Sequence, residues 1–225
     1  MTRTTRVAGS LWSTPRRDRE NEARRLRAAG VDRMHWDVSD GRFTVPGGFD
    51  VDEARALMAA AADAGGPPGG EVHFMVDKPL DHVRDWLDLC DLVTVQVESE
   101  GWRETLRIVE TSGRRAAVAI SPRTPVETVH SLPDHLGVLV MAVEPGHAGT
   151  GFLPATLDRL DKLAGRALLG VDGSVDAYRA RDCRRHGATW LVSGSSLCAA
   201  PDPAQWLRDA LRDDEIAASR PLHTT

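Results

Sequence analysis

Two residues apart in the stretch M-H-W-D-V-S-D-G, residues 34–41, stand a histidine and an aspartate, His35 and Asp37. On a β-strand this spacing turns both toward one face and sends Met34, Trp36 and Val38 to the other. An imidazole and a carboxylate so placed suit two ligands of one metal ion. A lone H-x-D equally suits a satisfied histidine and a loop-capping aspartate, so the pair gains meaning only if other strand ends supply matching groups. His73 lies in the apolar run 71–76, and Asp172 ends the run 168–172. Two imidazoles and two carboxylates make a donor set suited to one divalent ion of zinc, manganese, iron or cobalt, and unsuited to copper-thiolate or iron-sulfur centres. His82, His130, His135 and His186 fall on predicted helices or in loops, where a solvated histidine is the default.

Glycine supplies a second feature. E-P-G-H-A-G-T-G-F at residues 144–152, D-G-S at 172–174 and S-G-S-S at 193–196 each follow an apolar run and precede a helical pattern. Backbone N–H groups in such turns can converge on a phosphate. G-G-P-P-G-G at residues 65–70 follows a helix and precedes a strand, the wrong order for an anion site, and reads as a connector.

The elements that must position these groups alternate. Strands are predicted at residues 7–12, 31–38, 71–76, 92–98, 116–121, 137–143, 168–172 and 189–193. Helices are predicted at 15–29, 50–64, 79–89, 102–110, 125–132, 154–163, 175–185 and 203–212. Thr14-Pro15 is read as the N-cap and first position of the first helix, and Asp50 with Glu53 as a capping box for the second. Arg16, Glu20 and Arg24 alternate in sign at i,i+4, which marks a solvated helix face rather than a nucleic-acid patch. Eight near-continuous apolar strands alternating with eight helices indicate α/β architecture, and their number within about 215 residues favours a closed (β/α)8 TIM barrel over an open sheet. The barrel is expected to occupy residues 1–213 as one catalytic domain, with residues 214–225 a frayed C-terminal tail. Chemistry is then expected at the carboxyl ends of the strands.

Composition narrows the partners. The chain has 225 residues, 41% of them hydrophobic, enough to bury a core of the barrel size class. Its 28 basic and 33 acidic residues are mixed along the chain, giving a net charge of −5 with no face predicted to attract nucleic acid or an anionic membrane. Cys90, Cys183 and Cys198 are odd in number and far apart, which argues against a disulfide framework and a thiolate metal site and fits a reducing cytoplasm. The apolar run 7–12 is too short for a signal peptide or a membrane span. A small-molecule partner is expected, and homo-oligomer formation stays open.

In combination and order these motifs are identifiable: the chain resembles the ribulose-phosphate 3-epimerase family over nearly its whole length. The strand-two motif H-x-D-V-M-D-G is similar to H-W-D-V-S-D-G here, and D-V-H-L-M to E-V-H-F-M at residues 71–75. M-S-V-N-P-G-F-G-G-Q-x-F is similar to M-A-V-E-P-G-H-A-G-T-G-F from Met141, V-D-G-G-V to V-D-G-S-V from Val171, and S-x-L-S to S-L-W-S from Ser10. The resemblance implies epimerisation at C3 of a ketose phosphate, most simply D-ribulose 5-phosphate to D-xylulose 5-phosphate of the pentose phosphate pathway. It implies that His35, Asp37, His73 and Asp172 bind one divalent metal ion, and that Asp37 and Asp172 double as the acid-base pair. Inversion beside a ketone needs proton removal on one face and return on the other, so two groups make physical sense. The metal would stabilise the enediolate as charge develops. By the same resemblance Ser10 touches the sugar, Met75 and Met141 pack against the reacting carbon, backbone at Gly146, Gly149, Gly173, Gly194 and Ser195 holds the phosphate, and His147, Ala148 and Ser174 also belong to the substrate site.

The chain also departs from the family. Ser39 replaces a methionine that encloses the site, which is expected to widen it; Gln96 stands for a histidine and Glu144 for an asparagine; His147, Ala148 and Thr150 alter the strand-six loop. Gly47-Gly48 suggests a lengthened loop after strand two. These changes bear on the substrate, and D-G-S with G-x-A-G is also similar to allulose-6-phosphate 3-epimerase, which acts on a ketohexose phosphate. A non-catalytic sugar-phosphate binder is the alternative of another class; the retained Asp37 and Asp172 oppose it. A decarboxylase or a Schiff-base aldolase would need a lysine at a strand end, and Lys78 and Lys162 are both predicted in or beside helices.

Overall fold

A computed structural model of the chain describes residues 4–144 and 151–212. Eight strands run parallel: β1 (Arg6–Ser10), β2 (Arg33–Ser39), β3 (Gly69–Met75), β4 (Leu92–Gln96), β5 (Arg115–Ile120), β6 (Gly137–Met141), β7 (Leu169–Asp172) and β8 (Trp190–Ser193). Each pairs with its neighbour in chain order, and β1 pairs with both β2 and β8, so the sheet closes into the (β/α)8 barrel that the alternation predicts. The helices are α1 (Arg19–Ala28), α2 (Val51–Gly65), α3 (Val83–Trp86), α4 (Trp102–Thr111), α5 (Ala155–Leu163), α6 (Ala177–Arg185), α7 (Ser195–Ala199) and α8 (Pro203–Leu211).

The strands are buried on both faces, and period two divides their side chains between two environments. Outward residues such as Met34, Trp36, Phe74, Val118 and Val140 pack with helix residues such as Leu26, Ala61 and Leu160 in one large apolar shell. Inward residues of β1, β4, β5, β6 and β8 form a small apolar cluster that includes Ala8, Leu92, Ala117, Ala119, Leu139, Trp190 and Val192. From β2, β3 and β4 the inward positions also include Arg33, His35, Asp37, Glu71, His73, Thr94 and Gln96, all buried. Half of the barrel interior is therefore polar, and burial of that many polar groups is stabilising only if they are paired.

Several elements differ from expectation. The first helix opens with a 3-10 turn at Arg16–Asp18, and α1 has no side-chain N-cap bond. Arg19 donates to Thr14 O at 3.2 Å and pairs with Glu53 at 3.0 Å, which anchors this tighter turn. Arg24 pairs with Glu20 at 2.6 Å as expected, but Arg16, outside the helix, reaches Glu53 instead. Asp50 does cap α2, accepting from Glu53 N at 2.7 Å. The predicted helix 79–89 contracts to a 3-10 turn at Pro79–Asp81 and the four-residue α3. The predicted helix 125–132 is only a 3-10 turn, Val126–Val129, because Pro133 has no N–H for Val129 O and disfavours helical backbone at Leu132; the Arg166 guanidinium donates to the carbonyls of Val129 and Leu132 instead. Helix α7 was not expected at all. The expected tail, 214–225, lies outside the described residues.

Candidate active site

Register builds the site. Parallel pairing of β2 with β3 sets His35 beside Glu71 and Asp37 beside His73, while β1 sets Ser10 beside His35, and β6 sets Met141 beside Asp172. One donor atom from each of His35, Asp37, His73 and Asp172 lies within 4.8 Å of the others. Asp37 Oδ1 is 3.3 Å from His35 Nε2 and 3.8 Å from His73 Nδ1, and Asp172 Oδ2 is 3.8 Å from His73 Nδ1. The other oxygen of Asp37 accepts from the Ser10 hydroxyl at 2.7 Å. Each imidazole keeps its second nitrogen on the barrel wall, His35 Nδ1 at 2.7 Å from Glu71 Oε1 and His73 Nε2 at 3.0 Å from Gln96. His35 Nε2 and His73 Nδ1 are buried without a hydrogen bond. Two orphaned imidazole nitrogens aimed at two carboxylates are what a divalent cation would satisfy, so these residues fit one.

The charges interact strongly in this buried setting. Burial opposes protonation of His35, yet Asp37 and then Glu71 outweigh it and raise the imidazole well above its usual range. Asp37 is held well below the usual carboxylate range: burial would raise it, and His35 with His73 pull it down. Asp172 moves the other way, pushed up to about 6; burial is the main cause, His35 pulls back, and the charge of Asp37 adds to the rise. Two carboxylates of one cluster thus titrate in separate ranges, one pushed up and one pulled down, the separation that acid-base partners need.

Above the cluster opens a pocket lined by Ser10, Trp12, Asp37, Met75, Met141 and Asp172 and by the turns at Gly173, Ser174, Gly194 and Ser195. Gly173 sits at φ +108°, where a side chain would meet Val143. Ser174 is the only non-glycine with positive φ among the described residues, and its hydroxyl accepts from Gly151 N at 3.2 Å. The structure therefore brings together every expected site residue that it describes; Gly146, His147, Ala148 and Gly149, with Thr150, lie outside the described residues. Glu144 pairs on the surface with Arg123 at 3.1 Å. Asp40, the second carboxylate of the opening motif, stays out of the cluster: it accepts from the N–H groups of Arg42, Phe43 and Asp77, tying the strand-two loop to the end of β3.

Sequence reasoning missed four residues. Trp12 forms a pocket wall two positions after Ser10. Glu71, two positions before His73, reaches His35, and Trp190 and Arg33 hold Glu71 in turn at 2.9 and 3.6 Å. Parity along β3 could have found Glu71, since it shares the inward face of His73. Nothing in the sequence marks its neighbours.

Fold and site together define a barrel enzyme with a candidate metal centre at the carboxyl ends of its strands. The chain belongs to the ribulose-phosphate 3-epimerase family: a sequence model described as "Ribulose-phosphate 3 epimerase family" matches residues 6–198. It is 33% identical over 186 residues to the ribulose-phosphate 3-epimerase of Chlamydia trachomatis, covering 77% of this chain and 78% of that protein. It is 32% identical over 194 residues to that of Escherichia coli K12, covering 81% and 84%. The cytoplasmic isoform of rice is 29% identical over 215 residues. The protein is accordingly an epimerase of the isomerase class. Among solved structures, 3-hexulose-6-phosphate synthase from Salmonella typhimurium aligns at a TM-score of 0.66 with 15% identity, covering 91% of this chain and 96% of that one, a likeness of fold alone. Among the described residues no helix is long and apolar enough to cross a membrane.

Proposed function

We propose that the protein interconverts D-ribulose 5-phosphate and D-xylulose 5-phosphate by proton transfer at C3, with Asp37 and Asp172 as the two acid-base groups and His35, Asp37, His73 and Asp172 as ligands of one divalent ion. The observation that carries this reading is the cluster itself, four donor atoms within 4.8 Å at a pocket floor, in a chain of the epimerase family. A divalent ion bound there supplies positive charge against the oxygens of the developing enediolate. Asp37, kept ionised and oriented by the Ser10 hydroxyl, takes the C3 proton; Asp172, with its carboxyl pushed up to about 6, delivers one to the opposite face. Met75 and Met141, each 2% exposed, wall the reacting carbon from water, and the turns at Gly173–Ser174 and Gly194–Ser195 receive the phosphate. The residues surrounding the cluster select no single metal; the donor set suits zinc, manganese, iron or cobalt. Three free cysteines support a cytoplasmic setting.

The test is proton NMR of metal-replete protein with D-ribulose 5-phosphate in deuterated water. Xylulose 5-phosphate bearing deuterium at C3 is expected. Absence of both product and exchange, with turnover of a ketohexose 6-phosphate instead, would reassign the substrate; absence with both would remove the catalytic reading.

A further inference from the structure

The two histidines of the cluster are held by partners of different kinds. Glu71 Oε1 faces His35 Nδ1 at 2.7 Å and also accepts Trp190 Nε1–H at 2.9 Å. Arg33, itself gripped by Asp91 at 2.5 and 2.9 Å, lies 3.6 Å from the other oxygen. An ionised carboxylate only accepts, so His35 Nδ1 carries a proton and Nε2 is the nitrogen that turns to the cluster. His73 has no such fixed partner. Its Nε2 meets the amide nitrogen of Gln96 at 3.0 Å. An amide nitrogen only donates, which makes Nε2 the acceptor and puts the imidazole proton on Nδ1, the nitrogen facing Asp37 and Asp172. A cation would need that nitrogen bare. Both Gln96 Oε1 and His73 Nδ1 are buried and without hydrogen-bond partners. A half-turn of the carboxamide puts Oε1 against His73 Nε2 and favours the tautomer protonated there; the exchange gives the Nδ1 proton to the facing Asp37 or Asp172 carboxylate and takes one up at Nε2 from water.

We propose that Gln96 is a positioning residue for the cation: by offering its amide nitrogen or its carbonyl it selects the tautomer of His73, so that uptake of a divalent ion is coupled to a half-turn of this amide. The inference rests on the metal reading above. Glu71 provides the internal contrast, an acceptor with no second option.

Side-chain nitrogen–proton correlation spectra of the full chain with chelator and with zinc read the tautomers directly. His73 is expected to carry its proton on Nδ1 without metal and on Nε2 with zinc. Zinc dissociation constants by competition with a chromophoric chelator then compare the wild type with Gln96→Leu and Gln96→Glu. Leucine, unable to accept, is expected to weaken zinc binding roughly 10–100-fold, and glutamate, an acceptor only, to restore wild-type affinity or better. An unchanged His73 tautomer, or unchanged zinc affinity in the leucine variant, overturns the inference; if that variant fails to fold, the wild-type spectra still decide. A wild-type protein that takes up no zinc removes the metal reading and this inference together, whereas zinc held equally by all three proteins removes only the inference.

Discussion

Single side chains at the pocket floor divide into those that move protons and those that shape space. Asp37→Asn and Asp172→Asn each keep the side-chain volume and remove one acid-base group, so each is expected to lower kcat by about 10²–10⁴-fold, with the circular dichroism spectrum unchanged. Retention of most activity in either would sink the two-aspartate mechanism. Space is a different matter. Ser39, which stands for an enclosing methionine, is absent from the pocket lining and donates its hydroxyl to Val45 O at 2.7 Å. The half-buried Trp12 lines the pocket and packs on the Gly47–Gly48 segment, with ring atoms 3.3 and 3.2 Å from where side chains would begin. Trp12, rather than Ser39, then sets the room left for the sugar. Trp12→Leu is expected to shift the ratio of kcat/KM for six-carbon over five-carbon ketose phosphates upward by roughly tenfold, and Ser39→Met to leave it unchanged. The opposite ranking of the two variants would return the role to position 39.

At the scale of elements, the strand-two loop is the one most tightly fitted to the chemistry. Gly47–Gly48 pairs antiparallel with Val38 and Ser39, and Phe49 N donates to Asp37 O at 2.9 Å, so the loop folds back on the strand that carries Asp37. Gly48 has φ +90°, and a Cβ there would lie 2.1 Å from Asp37 O. Gly48→Ala is therefore expected to destabilise the protein by at least about 1–2 kcal/mol in urea unfolding and to depress kcat, though residue 48 is not among those lining the pocket. Wild-type activity in a folded Gly48→Ala protein would show that Asp37 is positioned without this loop. Such an approach is invisible in a sequence; Gly47-Gly48 announces only that the loop is long. The same limit explains what else was illegible. Period two and the order of apolar runs identified all eight strands and placed His35, Asp37, His73 and Asp172 at their carboxyl ends, because burial on both faces leaves a strong pattern. The helix at 125–132 is cut short by Pro133, a signal the sequence does carry, whereas the closing of its end by Arg166, 37 and 34 residues further along the chain, was not legible there. Trp190 and Arg33 escaped notice because a pairing between separate strands depends on register, which no single strand encodes.

For the molecule as a whole, Asp172 carries a stability cost that a cation would relieve. Asp172 rises from the ordinary 3.8 of an aspartate to about 6 in the folded protein. Between those values the folded form binds more protons than the unfolded form, so this group's contribution to stability falls as pH rises from about 4 to about 6 and stays lost above. A shift of about two units corresponds to a cost of up to about 3 kcal/mol near pH 8 in metal-free protein. Asparagine carries no charge to bury. Metal-free Asp172→Asn is therefore expected to unfold at higher urea than metal-free wild type at pH 8, with the gap closing toward pH 4. Added zinc should reverse the order, since it stabilises the form that binds it and the variant has lost a ligand. Urea titrations with chelator and with zinc at several pH values test this. An asparagine variant no more stable than wild type at pH 8 with chelator, or a gap that ignores pH, would mean that Asp172 is not strained in the empty cluster. The raised pKa assigned to it as the proton donor would then fall as well, and the division of roles between the two aspartates would have to rest on the bound cation alone.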